Sequence, residues 1–124
     1  MVTRVRKRSR ARRGEGDRLR EEILDATEAL LVKTNDLEAV SIRAVATAVG
    51  ITPPSIYMHF DRKEELILEV CERQFRVLDA FMLEAMEGID DPVEVVRAMG
   101  RAYVRFGLAR PEQYRFLFMT RTPD

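Results

Sequence analysis

Two consecutive prolines, Pro53 and Pro54, follow Gly50 closely, between two segments whose apolar residues recur at helical spacing. Glycine reaches left-handed backbone angles without steric cost, so Gly50 is typical of a helix end. Proline lacks a backbone N–H, but the first positions of a helix leave that group unsatisfied in any case. The prolines therefore predict the start of a new helix, with Thr52 as its N-cap. That helix should end near Met58 or His59.

The rest of the chain also carries apolar residues mostly at three- and four-residue steps, which predicts an all-α fold. Helix 1 is expected over residues 16–34. Helix 2 follows Ser41, whose hydroxyl can accept a hydrogen bond from an amide of the first turn. Helix 4 is expected to start at Asp61, with Glu64 completing a capping box, and to run to about Glu87.

Two further prolines mark helices in the C-terminal half. Asp91 and Pro92 are expected to open helix 5, and Pro111 to open helix 6. Spaced apolar side chains define the inward faces of helices 4 to 6. They are Leu66, Ile67, Val70, Cys71, Phe75, Leu78, Phe81, Met82, Ala85, Val95, Val96, Met99, Ala102, Tyr103, Phe106, Tyr114, Leu117 and Phe118. We expect a three-helix head, a long helix 4 that links it onward, and a helical C-terminal body that is truncated.

Helices 2 and 3, joined by a short turn that contains glycine, match the helix-turn-helix pattern. Ala46 is small at the place where the two helices must cross closely. If Ile56 and Phe60 point into the core, helical geometry turns the remaining side chains of helix 3 outward. These outward residues are Thr52, Pro53, Ser55, Tyr57 and His59. They include hydroxyls, a phenol and an imidazole but no acid, which suits contact with phosphate oxygens and base edges.

Charge is distributed unevenly along a chain whose net charge is zero. Residues 1–63 hold 13 Lys and Arg against 9 Asp and Glu, whereas residues 64–124 hold 8 against 12. A polyanion is therefore expected to meet the N-terminal half. The segment 1–15 reads as a basic disordered arm. It is either an arm that inserts arginines into a minor groove or a solubilising or cloning-derived tail.

The stretch SIRAVATAVGITPPSIYMHFDRKEELI resembles the DNA-binding domain of the TetR/AcrR family of transcriptional regulators, and the likeness extends back through REEILDATEALL on helix 1. Its most specific part is the Tyr-x-His-Phe-x-x-Lys run from Tyr57 to Lys63. The resemblance implies that Tyr57, His59 and Lys63 contact DNA phosphates. It also implies a contribution from the start of helix 2, where Arg43 is the best candidate for a bidentate contact to guanine. The predicted DNA-binding set is Ser41, Ile42, Arg43, Thr52, Pro53, Pro54, Ser55, Tyr57, His59 and Lys63.

Residues 102–119, AYVRFGLARPEQYRFLFM, are similar to a segment of the ligand-binding domain of some family members. The resemblance implies a DNA-binding domain over residues 16–62 and the start of a ligand-binding and dimerisation domain over residues 63–124. It further implies a repressor that binds a palindromic operator as a homodimer and responds to a small apolar or amphipathic effector. The lack of a signal-peptide pattern and of a bilayer-spanning apolar run predicts a cytoplasmic protein. The dimer interface would be formed by helices that this chain does not include.

Methionines and aromatic residues of helices 4 and 5 could line an adaptable ligand pocket. The candidates are Phe81, Met82, Met86, Met99, Tyr103 and Phe106. The alternative is that these side chains are ordinary core between helices 4, 5 and 6. The alternative to DNA binding is a small-molecule-binding helical protein whose helix-turn-helix serves only packing.

Catalysis finds little support in the sequence. The one histidine, His59, and the one cysteine, Cys71, lie on different predicted helices, and neither a metal-ligand cluster nor a glycine-rich phosphate loop occurs. We therefore expect neither an enzyme nor a cofactor. A lone cysteine excludes an internal disulfide, and no apolar run approaches the ~18 residues that span a bilayer, so no membrane partner is expected.

Overall fold

The computed structural model describes residues 15–119, which form six α-helices in succession. They are α1 (Glu15–Thr34), α2 (Ile42–Val49), α3 (Pro53–Tyr57), α4 (Lys63–Met86), α5 (Pro92–Ala109) and α6 (Pro111–Met119). The predicted all-α fold is confirmed. The predicted disordered arm lies outside the described residues, except for Glu15, which begins α1. Within the described part, none of the helices combines the length and hydrophobicity needed to cross a membrane.

Two compact units make up the described chain, one reaching to Val70 and the other starting at Cys71. In the first unit, α1 packs on α2, and α2 packs on α3. The buried face of α1 consists of residues at helical spacing, which are Ile23, Leu24, Thr27 and Leu31. Thr27 donates its hydroxyl hydrogen to the Ile23 carbonyl at 2.7 Å, so this polar side chain is satisfied inside an apolar face.

The ends of α2 follow the sequence prediction. Ser41 has an extended backbone, and its hydroxyl oxygen accepts a hydrogen bond from the Ala44 amide at 3.0 Å. Gly50 takes a left-handed conformation with φ of 83°, and its amide donates to the Ala46 carbonyl at 2.9 Å. A residue with a Cβ would be strained at this φ, which is why the turn between α2 and α3 needs glycine.

The short helix α3 begins at Pro53, as predicted. Ile56 and Phe60 are 0% and 2% exposed, so both point into the core as expected. Thr52 occupies the N-cap position, but its side chain makes no capping hydrogen bond. Instead, its hydroxyl pairs with the Ser55 hydroxyl at 3.1 Å.

The predicted start of α4 is wrong. The helix begins at Lys63 and not at Asp61, and Glu64 does not complete the capping box. Glu65 takes that part, because its carboxylate accepts from the Asp61 amide at 3.1 Å. Since the chain is still in a bend at Asp61 and Arg62, the acid that can reach back lies one residue further along.

The second unit contains the C-terminal part of α4 together with α5 and α6, and α5 packs on α6. Asp91 caps α5 as predicted, since its carboxylate accepts from the Val93 amide at 3.1 Å. Phe106 is fully buried and meets the Phe81 ring edge-on, with 6.0 Å between ring centres.

Three side chains predicted to lie inside this unit are exposed, and those predictions are wrong. Val96 is 67% exposed, and Phe75 and Phe118 are each 42% exposed. In α6 the buried aromatic side chain is Phe116. The sequence of this helix has apolar residues on more than one side, so spacing alone does not select the buried face.

Candidate nucleic-acid interface

The start of α2 presents polar groups without an acid. Ser41 and Arg43 are exposed, and Ile42 between them is half-buried. The first turn of α2 contains no Asp or Glu to offset the partial positive charge of the helix end. The Ser41 hydroxyl, the Arg43 guanidinium and this helix end together suit a phosphate or the acceptor edge of a base.

The outer surface of α3 carries no charged side chain. Tyr57 is 51% exposed, Thr52 and Pro54 are also exposed, and Pro53 and Ser55 are half-buried. The helix therefore offers a phenol, two hydroxyls and pyrrolidine rings to a partner. These groups can donate single hydrogen bonds or make apolar contacts, but they cannot form a bidentate contact.

His59 and Lys63 follow α3 along the chain, and both are half-buried. The backbone amide of His59 donates to the Ile56 carbonyl at 2.9 Å, which ties the histidine to the end of α3. Its ring lies against the start of α1, because a Cβ built on Gly16 would be 3.9 Å from His59 Cε1. Lys63 is the first residue of α4, where the helix end and the ammonium both favour an anion.

None of the ten predicted DNA-binding side chains is buried, and all ten lie in the first unit. They fall on the start of α2, on α3 and on the segment from His59 to Lys63. An ion pair between Arg20 of α1 and Glu69 of α4 joins two helices of the same unit. The individual contacts of the ten side chains with DNA stay predictions.

One exposed side chain was missed by the sequence reasoning. Met58, directly after α3, is 84% exposed. Its spacing of two residues from the buried Ile56 was the available signal, because residues two apart on a helix point to nearly opposite sides.

The predicted ligand-pocket residues all lie in the second unit. Phe106 is buried, and the other five are half-buried: Phe81, Met82, Met86, Met99 and Tyr103. The Tyr103 hydroxyl donates to the Tyr114 hydroxyl at 3.0 Å, and this hydrogen bond raises the pKa of Tyr103. Such contacts are compatible with a pocket wall and with plain core, so the pocket also stays a prediction.

The remaining chemistry-bearing groups do not form a site. Cys71 is buried, and burial raises the pKa of its thiol, which disfavours the reactive thiolate. Over residues 15–119, no three histidine, cysteine, aspartate or glutamate side chains are grouped so that they could hold a metal ion.

Comparison with known proteins gives a family match in the first unit. The model of the bacterial regulatory proteins of the tetR family matches residues 23–70. That range spans the buried face of α1, both helices of the helix-turn-helix and the first part of α4.

Two solved structures share the fold over most of this chain. A TetR family transcription regulator from Marinobacter aquaeolei VT8 matches with a TM-score of 0.67 and 26% identity, over 86% of this chain and 55% of that one. A TetR-family transcriptional regulator from Haemophilus influenzae RD matches with a TM-score of 0.57 and 24% identity, over 76% of this chain and 51% of that one. This chain thus spans about half the length of the structures that it matches.

Proposed function

We propose that this chain, whose residues 23–70 match the model of the tetR family of bacterial regulatory proteins, is a member of that family, binds a specific duplex DNA sequence and represses transcription from it. In this proposal α3 enters the major groove of the DNA. Tyr57, His59 and Lys63 contact phosphates on one side of the groove, and Ser41 contacts them on the other. Arg43 reads a guanine from the start of α2.

The observation that carries the proposal is the character of the surface around α3. Neither α2 nor α3 has an acid in its first turn, whereas α1, α4, α5 and α6 all have one. A helix surface that serves only solvation usually mixes both signs of charge. Two neighbouring helices, α2 and α3, that carry no acid and display Arg43 are instead what a polyanion requires.

The finer features of the proposal are a homodimer, a palindromic operator and release by an effector. A dimer with two-fold symmetry would present two α3 helices to two half-sites about 34–36 Å apart, one turn of the duplex. A small apolar or amphipathic effector bound by the second unit would favour an arrangement in which this spacing is wrong. Such an effector must bind the two arrangements with different affinities, since otherwise it would not shift the equilibrium.

Selection of bound duplexes from a random pool by the protein in its dimeric form tests the proposal directly. We expect one enriched sequence with two-fold symmetry, and a steep fall of its affinity with salt concentration. Arg43→Ala should weaken binding about 5-fold to 150-fold and relax the preference for guanine at one position of each half-site.

Arg18→Ala is the matched control, because Arg18 is an exposed arginine of the same unit that lies on α1. It should leave the selected sequence unchanged. The absence of saturable duplex binding at low salt would refute the proposal and favour a helical protein that binds only small molecules.

A further inference from the structure

The outermost line of α3 is formed by two apolar side chains. Ile56 is fully buried, and successive residues of a helix are rotated by about 100°, so residues two positions away lie about 200° from it. Pro54 and Met58 occupy those two positions. Both are therefore directly opposite the core-facing side of the helix.

Met58 keeps helical geometry although α3 formally ends at Tyr57. Its φ and ψ are −70° and −22°, and its amide donates to the Pro54 carbonyl at 3.2 Å. The two side chains are thus one helical turn apart on one ridge, which we call the Pro54–Met58 ridge. Ser55 and Tyr57 flank this ridge, one on each side.

Met58 is unusually exposed for an apolar side chain. At 84%, it is the most exposed of the large hydrophobic side chains in the described part of the chain. A scattered exposed methionine needs no explanation. This methionine, however, lies at the most protruding position of the helix that the proposed function inserts into DNA. On the same helix, the Ser55 hydroxyl is paired with the Thr52 hydroxyl.

The major groove offers one apolar group to such a ridge, the C5-methyl group of thymine. We propose that Pro54 and Met58 select thymine in each half-site by direct contact with C5-methyl groups. This inference rests on the proposed function and specifies which residues recognise which groups of the bases. The ridge of α3 reads methyl groups, and hydrogen-bonded readout of bases falls to Arg43 on α2.

Replacement of thymine by deoxyuridine tests the contact, because it removes the methyl group and leaves every hydrogen-bonding group in place. The duplex enriched by the protein is synthesised with deoxyuridine at one thymine pair of each half-site at a time. We expect about fourfold weaker binding for each half-site methyl group that the ridge buries, and no change at other thymines.

Met58→Ala links the effect to the side chain. If Met58 contacts a methyl group, the variant should bind the natural duplex more weakly and become insensitive to deoxyuridine at one half-site position. Met58→Leu keeps an apolar contact and should retain the sensitivity. Leu108→Ala is the control, since Leu108 is 80% exposed on α5, and it should behave as the unmodified protein does.

Failure of this inference can be told apart from failure of the proposed function. Enrichment of a specific duplex whose thymines all tolerate deoxyuridine would overturn the methyl contact and leave the regulator intact. Equal deoxyuridine effects in the unmodified protein and in Met58→Ala would also overturn the role of Met58. The absence of any enriched duplex would overturn both.

Discussion

The guanidinium carbon of Arg20 lies over the ring of Phe60, 4.7 Å from the ring centre. Arg20 belongs to α1, and Phe60 is the buried residue that follows α3. The same guanidinium also pairs with Glu69 of α4. One side chain thus fastens the turn between α3 and α4 to the first helix, and this turn contains His59.

Replacing Arg20, which is not itself one of the proposed DNA contacts, should destabilise the first unit. Arg20→Ala removes a cation–π contact and a partly exposed ion pair, which together stabilise by about 1–2 kcal/mol. Arg20→Lys keeps the charge but loses the flat guanidinium, so it should recover only part of that amount. Urea unfolding followed by circular dichroism measures both, with Arg18→Ala as the exposed control. A stability of Arg20→Ala equal to that of the control would show that the contact contributes nothing.

Ser41 and Thr52 form a natural pair for testing helix capping. Both precede a helix with an extended backbone, but only the Ser41 hydroxyl accepts a hydrogen bond from a backbone amide. Ser41→Ala should therefore lower the free energy of unfolding by about 1 kcal/mol. Thr52→Ala should cost clearly less, because its hydroxyl pairs only with Ser55. Thermal or urea unfolding of the two variants under one set of conditions provides the comparison, and equal losses would contradict it.

Local rules explain which parts of the fold the sequence could predict. The ends of α2 and the start of α5 depend on Ser41, Gly50 and Asp91, whose side chains or backbone act within four residues. The start of α4 was not predictable in this way. Asp61, Glu64 and Glu65 offer competing capping frames, and the bend at Asp61 and Arg62 decides between them.

In the second unit, packing between helices limited how well the sequence could predict which side chains are buried. Phe118 was expected inside, yet it keeps 42% exposure while its ring lies 5.5 Å from that of Tyr103 and 6.1 Å from that of Phe75. An aromatic ring can thus contact its neighbours and remain partly exposed, and spacing along one helix does not distinguish this case from full burial. At the candidate site this limit did not apply to Met58, because its spacing of two residues from Ile56, which was expected in the core, already indicated an outward direction.

Gly100 and Gly88 separate the effect of space from the effect of backbone conformation. A Cβ at either position would meet nothing within 4 Å. Gly100 lies inside α5, so Gly100→Ala should stabilise by about 0.5–1 kcal/mol through helix propensity. Gly88 has a φ of 76°, where Gly88→Ala should destabilise by about 1–2 kcal/mol. Opposite shifts of the unfolding midpoint are expected, and shifts of the same sign would refute the argument.

Lys63 and Lys33 test whether a charge contributes to DNA binding by its position or merely by its sign. Each phosphate contact releases counterions, so log affinity falls linearly with log salt, and the loss of one contact flattens that slope by about one unit. Lys63→Ala should do this and should weaken binding to all duplex sequences to a similar degree. Lys33, an exposed lysine in the last turn of α1, should leave the slope unchanged when it is replaced by alanine.

Fluorescence anisotropy titrations of the selected duplex at several salt concentrations give the slopes for the unmodified protein and the two lysine variants. Circular dichroism of each variant confirms that the helices are retained. Equal slopes for the two lysine variants would show that Lys63 makes no phosphate contact, because the loss of one positive charge would then have the same effect at either position.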